Sequence, residues 1–473
     1  MLNINDYKGA EAVFRFFEKI SAIPRASHNT SPIADYLVCF AEQRGLAFYR
    51  DKSDNVIITK PATSGYEEKD TVIIQGHTDM VADQTEDCTL DMAKDGLKLF
   101  RDGDFIKADG TTLGADDGIA MAYSLALLDS TDIPHPKIEA LFTSDEEVGL
   151  IGATALDASK LTGKTMINID SDVEGIFTVG CAGGMRMDLD LPFQKSENVM
   201  GAYKISLTGL LGGHSGTEID KGRVNGIKTL FEIISSLPDA KLIEVSGGNA
   251  DNAIPRYAEC KIYSSADKDS VMTAINSVRE KHLAAEPGLI VSLECISGEF
   301  TAFDSKSTRK INNAILTTPT GVYKMSEDII GLPETSSNLG IIKTSDGRVS
   351  YAVSLRSSKN SEKNKLRDMV RNIGKTYGAN INEHGEYPAW EYRKNSPLTD
   401  TMSRVYSRMY GKMPEIITIH AGLECGIFSE KIPGLDCVSI GPDNYDIHTT
   451  SERLSISSTA RVWEYLKEVL TEI

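Results

Sequence analysis

At 473 residues the chain is longer than a single hydrophobic core accommodates, so two or three domains are expected. With 41% hydrophobic and 25% charged residues it has an ordinary globular composition, which excludes disordered, collagen-like and coiled-coil classes. Its 50 basic and 68 acidic side chains leave a net charge of −18, which argues against nucleic acid or an anionic membrane surface as partner.

Residues 10–20 set Val13, Phe14, Phe17 and Ile20 on one helical face, ahead of the breaker Ile23-Pro24. That stretch carries charges throughout and lacks the apolar centre of a signal peptide. No apolar run approaches the ~20 residues that a membrane span needs. The seven cysteines (39, 88, 181, 260, 295, 425 and 437) form no C-x-x-C and read as free thiols in a reducing compartment. A cytoplasmic, soluble protein is expected.

A second helix is predicted over Ser31–Arg44, stopped by Gly45. Strands follow at NVIITK, TVIIQG, IEALFTS and TMINID, with a helix over 116–128 between two of them. The last three strands are apolar on both faces. Buried strands alternating with helices predict an α/β fold with a mostly parallel sheet.

The pattern changes near Met187. From AYKISLTGL onward, strands alternate apolar and polar residues, as in YAECKIYS (257–264), LIVSLECI (289–296) and RVSYAVSLRSS (348–358). Helices are predicted at 222–236, 269–285, 307–317 and 361–376. This rhythm runs about twice, which suggests two related α+β units. The first pattern returns after EYPAWEYRKNSP (386–397), with a buried strand in GLDCVSIG and a final helix over 458–469. The organisation expected is one α/β domain built from residues 1–187 and 388–473, carrying an α+β domain inserted at 188–387.

In open α/β sheets ligands sit beyond the carboxyl ends of the strands. His77 and Asp79 follow TVIIQG, while Asp145, Glu146 and Glu147 follow IEALFTS. Asp170 and Asp172 follow TMINI, and His448 lies in PDNYDIHTTSE after GLDCVSIG. LGADDG places Asp116 and Asp117 in a glycine-flanked turn ahead of the 116–128 helix. Each piece alone has an ordinary reading: a hydrogen-bonded loop pair, a helix cap, a solvated acidic loop, a surface histidine. Together they bring several carboxylates to one sheet edge, where they would repel unless protonated or neutralised by cations.

Two divalent metals neutralise such a cluster economically. Imidazole and carboxylate are the ligands of catalytic zinc and manganese sites, and cobalt accepts the same set. Asp116 is assigned as the bridge, with His77 and Asp170 on one ion and Glu147 and His448 on the other. Asp79 then orients His77. Glu146, next to a ligand but not needed as one, can act as general base toward a water shared by the ions.

The motifs GHTDMV, TLGADDGIAMA, TSDEEVGLIGA, NIDSD and IHTTSERL, with GGHSG, GGNADNAIPR and HAGLECGIF, resemble the co-catalytic metallopeptidases of the aminoacylase and carnosinase type. The resemblance spans essentially the whole chain and is strongest to dipeptidases of that clan. It implies a zinc-peptidase-like catalytic domain with an inserted lid domain, acting on unblocked dipeptides as a monomer or homodimer. His214 would steady the substrate carbonyl, within its own chain or across a dimer. Arg356 would bind the terminal carboxylate, Glu424 the free amine, and Asn252 would add a polar contact. One departure is Asp117, where relatives carry Asn; it adds a negative charge near the metals. The alternatives are an N-acyl amino acid deacylase or a tripeptidase on the same scaffold, or a catalytically dead metal- or peptide-binding protein. G-x-G-x-x-G is absent from TLGADDGIA, which disfavours a nucleotide-binding module.

Overall fold

The computed structural model describes residue 7, residues 9–237 and residues 239–473. The chain divides into two units. One runs from the N-terminal region to Gly180 and adds Tyr392–Thr418 and Leu423–Ile473; the other comprises Cys181–Glu391 with Ile419–Gly422. The change of pattern near Met187 falls inside the strand Gly183–Pro192, and residue 387 ends the strand Asn380–Tyr387.

The eight-stranded sheet of the first unit has the order Ala47–Arg50, Val56–Lys60, Ile138–Thr143, Val72–His77, Thr165–Asn168, Asp436–Ser439, Ile176–Cys181, Glu415–Ile419. Its four central strands, from Ile138–Thr143 to Asp436–Ser439, run parallel. The margins are antiparallel at Ala47–Arg50, Val56–Lys60 and Ile176–Cys181. The short turn between Ala47–Arg50 and Val56–Lys60 leaves no room for the crossover a parallel pair needs, so the sheet is mixed at that side.

Val72–His77 and Ile138–Thr143 are buried along their whole length, as expected of central parallel strands. Helix Glu11–Ser21 buries Val13, Phe14, Phe17 and Ile20 in the same core as Leu37, Leu125 and Leu466 from three other helices. Helix Ser31–Arg44 ends where predicted, with Gly45 at φ 65°, a left-handed cap that glycine adopts without penalty. Helix Ala115–Asp129 is buried on nearly every side, which its Ala- and Leu-rich sequence permits. The last helix, Ile456–Glu472, begins with Ser455 Oγ accepting the Ser458 N–H at 3.2 Å. A smaller sheet pairs Asn444–Tyr445 with Arg453–Ser455 and so closes a hairpin whose tip carries His448.

The second unit holds a nine-stranded sheet whose pairings are antiparallel, in the order Ile290–Phe303, Lys195–Thr208, Ala258–Tyr263, Lys241–Gly247, Pro333–Ser345, Arg348–Ser357, Gly183–Pro192, Asn380–Tyr387, with Gly321–Met325 also on Pro333–Ser345. It consists of two halves of one topology. In the first, Lys195–Thr208, helix Gly226–Ser235, Lys241–Gly247, Ala258–Tyr263, helix Lys268–His282 and Ile290–Phe303 follow in a βαββαβ sequence. In the second, Gly183–Pro192 is followed, after the whole first half, by helix Ser305–Thr317, Pro333–Ser345, Arg348–Ser357, helix Asn360–Thr376 and Asn380–Tyr387. Both halves have the strand order 4-1-3-2, and they join through Lys241–Gly247 and Pro333–Ser345. Among the described residues no helix is long and apolar enough to cross a membrane.

Gly76 sits on the central strand where helix Ala115–Asp129 approaches. A Cβ there would lie 2.2 Å from Ala120 Cβ and 2.5 Å from Asp117 Oδ2. Gly76→Ala is therefore expected to destabilise the protein by about 2 kcal/mol, read as a fall in Tm.

Candidate active site

His77 ends the central strand with only 1% of its surface exposed. Its Nδ1 lies 3.1 Å from the Asp79 carbonyl oxygen and 3.4 Å from Asp79 Oδ1. A carbonyl only accepts, so Nδ1 carries a proton and Nε2 is the nitrogen left for a cation. Burial lowers the ring's basicity, but hydrogen bonds to Asp116 and Asp79 outweigh it and raise it well above the usual range. Nε2 faces Asp116 Oδ1 at 3.1 Å and Asp170 Oδ1 at 3.8 Å.

Asp116 stands at the start of helix Ala115–Asp129, where Asp116 and Asp117 depart from helical geometry and their shared peptide bond is cis. Its second oxygen, Oδ2, lies 3.1 Å from His448 Nε2, which also meets Glu147 Oε1 at 2.9 Å. One carboxylate thus offers each of its oxygens to a different imidazole. Ligand atoms of His77, Asp116 and Asp170 lie within 4.8 Å of one another, as do those of Asp116, Glu147 and His448, and those of His77, Glu146 and Glu147.

Asp79 does more than orient His77. Its Oδ1 accepts the Glu146 N–H at 2.9 Å, and its Oδ2 accepts the Glu147 N–H at 3.3 Å and the Ser27 hydroxyl at 2.8 Å. Burial opposes its ionisation, but the His77 interactions and these donors outweigh burial and hold Asp79 down to about 2. The preceding residue, Asp145, has φ 50°, and His448 has φ 62°. Such left-handed conformations are strained for residues other than glycine, and strain of this kind gathers at functional sites.

Two residues that the sequence did not single out frame the cluster. Glu452 accepts the N–H groups of Leu113, Gly114, Ala115 and Asp116 at 2.8, 2.7, 2.9 and 3.2 Å, which fixes the turn carrying Asp116. Arg25, fully buried, donates to the carbonyls of Thr78 at 3.0 Å, Asp79 at 3.2 Å and Gly114. A Cβ at Gly114 or Gly118 would lie 2.6 or 2.5 Å from Arg25 Nη2, so both glycines make room for the guanidinium. The only sequence signals were an arginine just after Ile23-Pro24 and a glutamate close behind His448.

The electrostatics record the crowding. Burial, reinforced by Glu424, Glu147 and Asp116 against the pull of His77, pushes Glu146 up to about 8. Burial and Asp117 raise Asp170. Hydrogen bonds to Asp116 and Glu147 push His448 up to about 10. Asp117 turns its Oδ2 to the His77 backbone N–H at 3.1 Å, and burial drives its carboxyl well above the usual range. These shifts mark a cluster short of positive charge, and its donor set fits two divalent ions.

Glu424 is 1% exposed at the start of helix Glu424–Lys431. Its Oε2 accepts from Gln75 Nε2 and Thr143 Oγ1, both at 2.6 Å, while Oε1 has no hydrogen-bond partner. Burial pushes it up to about 7.

The remaining candidates lie in the second unit. His214 pairs with Ala253 in a two-stranded ribbon, which sets Asn252, itself exposed, beside it. His214 Nδ1 accepts the Gly216 and Thr217 N–H groups, each at 3.2 Å, so the proton resides on Nε2. Burial, then Arg356, lowers its basicity and favours the neutral ring. Arg356 projects from strand Arg348–Ser357 and donates to the Tyr387 hydroxyl at 3.1 Å.

Residues 73–472 match the model of Peptidase family M20/M25/M40. The chain is 37% identical over 473 residues to the cytosol non-specific dipeptidase of Escherichia coli, covering 98% of each. A crystal structure of aminoacylhistidine dipeptidase from Vibrio alginolyticus superposes with a TM-score of 0.93 at 34% identity, covering 100% of this chain and 98% of that one. A tripeptidase structure from Staphylococcus aureus shares the fold at 18% identity and a TM-score of 0.57.

In the metal-free protein Glu146, Glu424 and His448 titrate at about 8, 7 and 10, each above its ordinary value. Such groups bind protons more tightly when folded, so their stabilisation is complete at low pH and is lost as pH rises through those values. Asp79 works in the opposite sense, and only near its own low value of about 2. Metal-free protein is expected to melt at a higher temperature at about pH 5 than at about pH 9, and excess divalent metal is expected to reverse that order by displacing the protons.

Proposed function

Because the chain belongs to peptidase family M20/M25/M40, a family of peptide-bond hydrolases, we propose that it is a cytoplasmic two-metal dipeptidase acting on unblocked dipeptides. The observation that carries this reading is Asp116, whose Oδ1 faces His77 and whose Oδ2 faces His448. Asp116 would bridge two divalent ions, with His77 and Asp170 on one and Glu147 and His448 on the other. The ligand set suits zinc first, with cobalt or manganese also accepted. Ions held by these residues would supply polarisation of the scissile carbonyl and acidification of water.

The side chains supply the rest. Glu146, its N–H held by Asp79, takes the proton of the attacking water and returns it to the leaving amine. His214, neutral with its proton on Nε2, donates to the substrate carbonyl as negative charge develops there. The second unit would serve as the lid carrying that donor, with Asn252 as a further polar contact. Arg356 has no acidic partner among the described residues and is free to take the substrate carboxylate. Glu424 Oε1, buried without a partner, would take the substrate ammonium.

Anchors at both charged ends measure length, since a longer peptide would leave a buried charge unpaired. The similarity to two dipeptidases over nearly the whole chain supports the same reading.

One observation favours a second reading. Glu424 is almost wholly buried and already holds Gln75 and Thr143. If that is its whole role, the amine is not read and an N-acyl amino acid deacylase becomes the better description. Glu146→Gln is expected to lower kcat by about 10²–10⁴-fold with metal content retained. Glu424→Gln is expected to cripple hydrolysis of a free dipeptide while sparing an N-acetyl amino acid. Equal losses on both substrates would favour the second reading.

A further inference from the structure

On one face of the second unit's sheet, Ser336 and Arg356 stand directly opposite each other across the antiparallel pair Pro333–Ser345 and Arg348–Ser357. Arg356 is partly buried, its Nε is fully buried without a hydrogen-bond partner, and its one side-chain hydrogen bond among the described residues is to the Tyr387 hydroxyl. Two glycines hold that tyrosine in place. A Cβ at Gly184 would lie 2.5 Å from its hydroxyl, and one at Gly422 would lie 2.7 Å from its ring.

Ser336 Oγ lies 2.7 Å from His420 Nε2. His420 is 3% exposed, and its other ring nitrogen, Nδ1, is buried with no partner. Burial, then the Arg356 charge, holds this imidazole down to about 4, so it is neutral at physiological pH. A neutral ring carries one donor and one acceptor nitrogen.

A guanidinium with no acidic partner among the described residues and an imidazole whose Nδ1 has no hydrogen bond thus flank one residue, Ser336. Buried polar groups are rarely left in that state unless water, an ion or a ligand completes them. A cationic ligand would be repelled by Arg356, and an uncharged one would leave the guanidinium unpaired. A carboxylate satisfies both groups.

We propose that His420 is a substrate-binding residue: with the Ser336 hydroxyl donating to Nε2, His420 Nδ1–H and the Arg356 guanidinium together hold the terminal carboxylate of the substrate. The inference rests on Arg356 being the carboxylate anchor, as read above. Arg356 supplies the charge that selects a free carboxyl terminus, and His420 supplies a directed donor whose bond is stronger to that charged acceptor than to an amide oxygen.

The test is steady-state kinetics of the metal-loaded enzyme on a dipeptide and on the same dipeptide as its carboxyl-terminal amide. His420→Ala is expected to raise KM for the free dipeptide roughly tenfold, with kcat nearly unchanged, and to leave KM for the amide unaltered. Ser336→Ala removes the hydroxyl that sets the tautomer and leaves little void; it is expected to shift KM the same way, and it decides the matter if His420→Ala does not fold. Arg356→Met is the reference. If it raises KM for the free dipeptide only, while the His420 and Ser336 variants change nothing, the role of His420 is refuted and the anchor stands. If Arg356→Met itself changes nothing, the anchor reading fails and this inference fails with it. Equal rises in KM for dipeptide and amide in the His420 and Ser336 variants would assign both residues to packing and overturn the proposal.

Discussion

Repulsion among buried carboxylates governs the first unit. Asp79, Asp116, Glu146, Glu147 and Asp170 converge on one sheet edge with two imidazoles between them. Like charges at this spacing, removed from water, cannot all remain ionised without counter-charge. The surroundings hold the cluster in place rather than neutralise it. Four backbone N–H groups end on Glu452, a buried guanidinium grips three carbonyls, and Asp79 fixes the backbone of Glu146 and Glu147. Ion binding would replace protons that the metal-free cluster must otherwise keep.

Much of this was legible in the chain because a central parallel strand announces itself. TVIIQG and IEALFTS are continuous apolar runs, buried on both faces, and the residues just beyond them lie at the carboxyl edge by topology alone. His77, Glu146, Glu147 and Asp170 could be collected on that rule, and the glycines around Asp116 and Asp117 marked a turn. Arg25 and Glu452 were not accessible in the same way. Their partners are backbone carbonyls and N–H groups, which have no signature in sequence, and they lie far from the turns they hold. His420 stands within HAGLECGIF, but its meaning depends on Ser336, which meets it from strand Pro333–Ser345, and on Arg356 opposite Ser336.

The strands of the second unit were legible where one face is covered. Ala258–Tyr263 alternates buried and half-buried residues along its length, and its period-two pattern is plain. Ile290–Phe303 continues well past the predicted 289–296, because along this edge strand most side chains meet solvent and the alternation fades. The repeat of strand and helix was visible as a rhythm. Its cause is topological: two βαββαβ halves share one sheet without sharing a recognisable sequence.

That arrangement bears on how the polypeptide assembles. Gly183–Pro192 leaves the ribosome early, yet its neighbours in the sheet, Arg348–Ser357 and Asn380–Tyr387, are made only after the intervening half is finished. The intervening half contains all of its own strands and can close first. The outer half has all its strands only once Asn380–Tyr387 is made, and the α/β body only once Asp436–Ser439 and the final helix are. Both the outer half and the α/β body therefore depend on contacts of large sequence separation, which slow folding and prolong the exposure of unpaired edges.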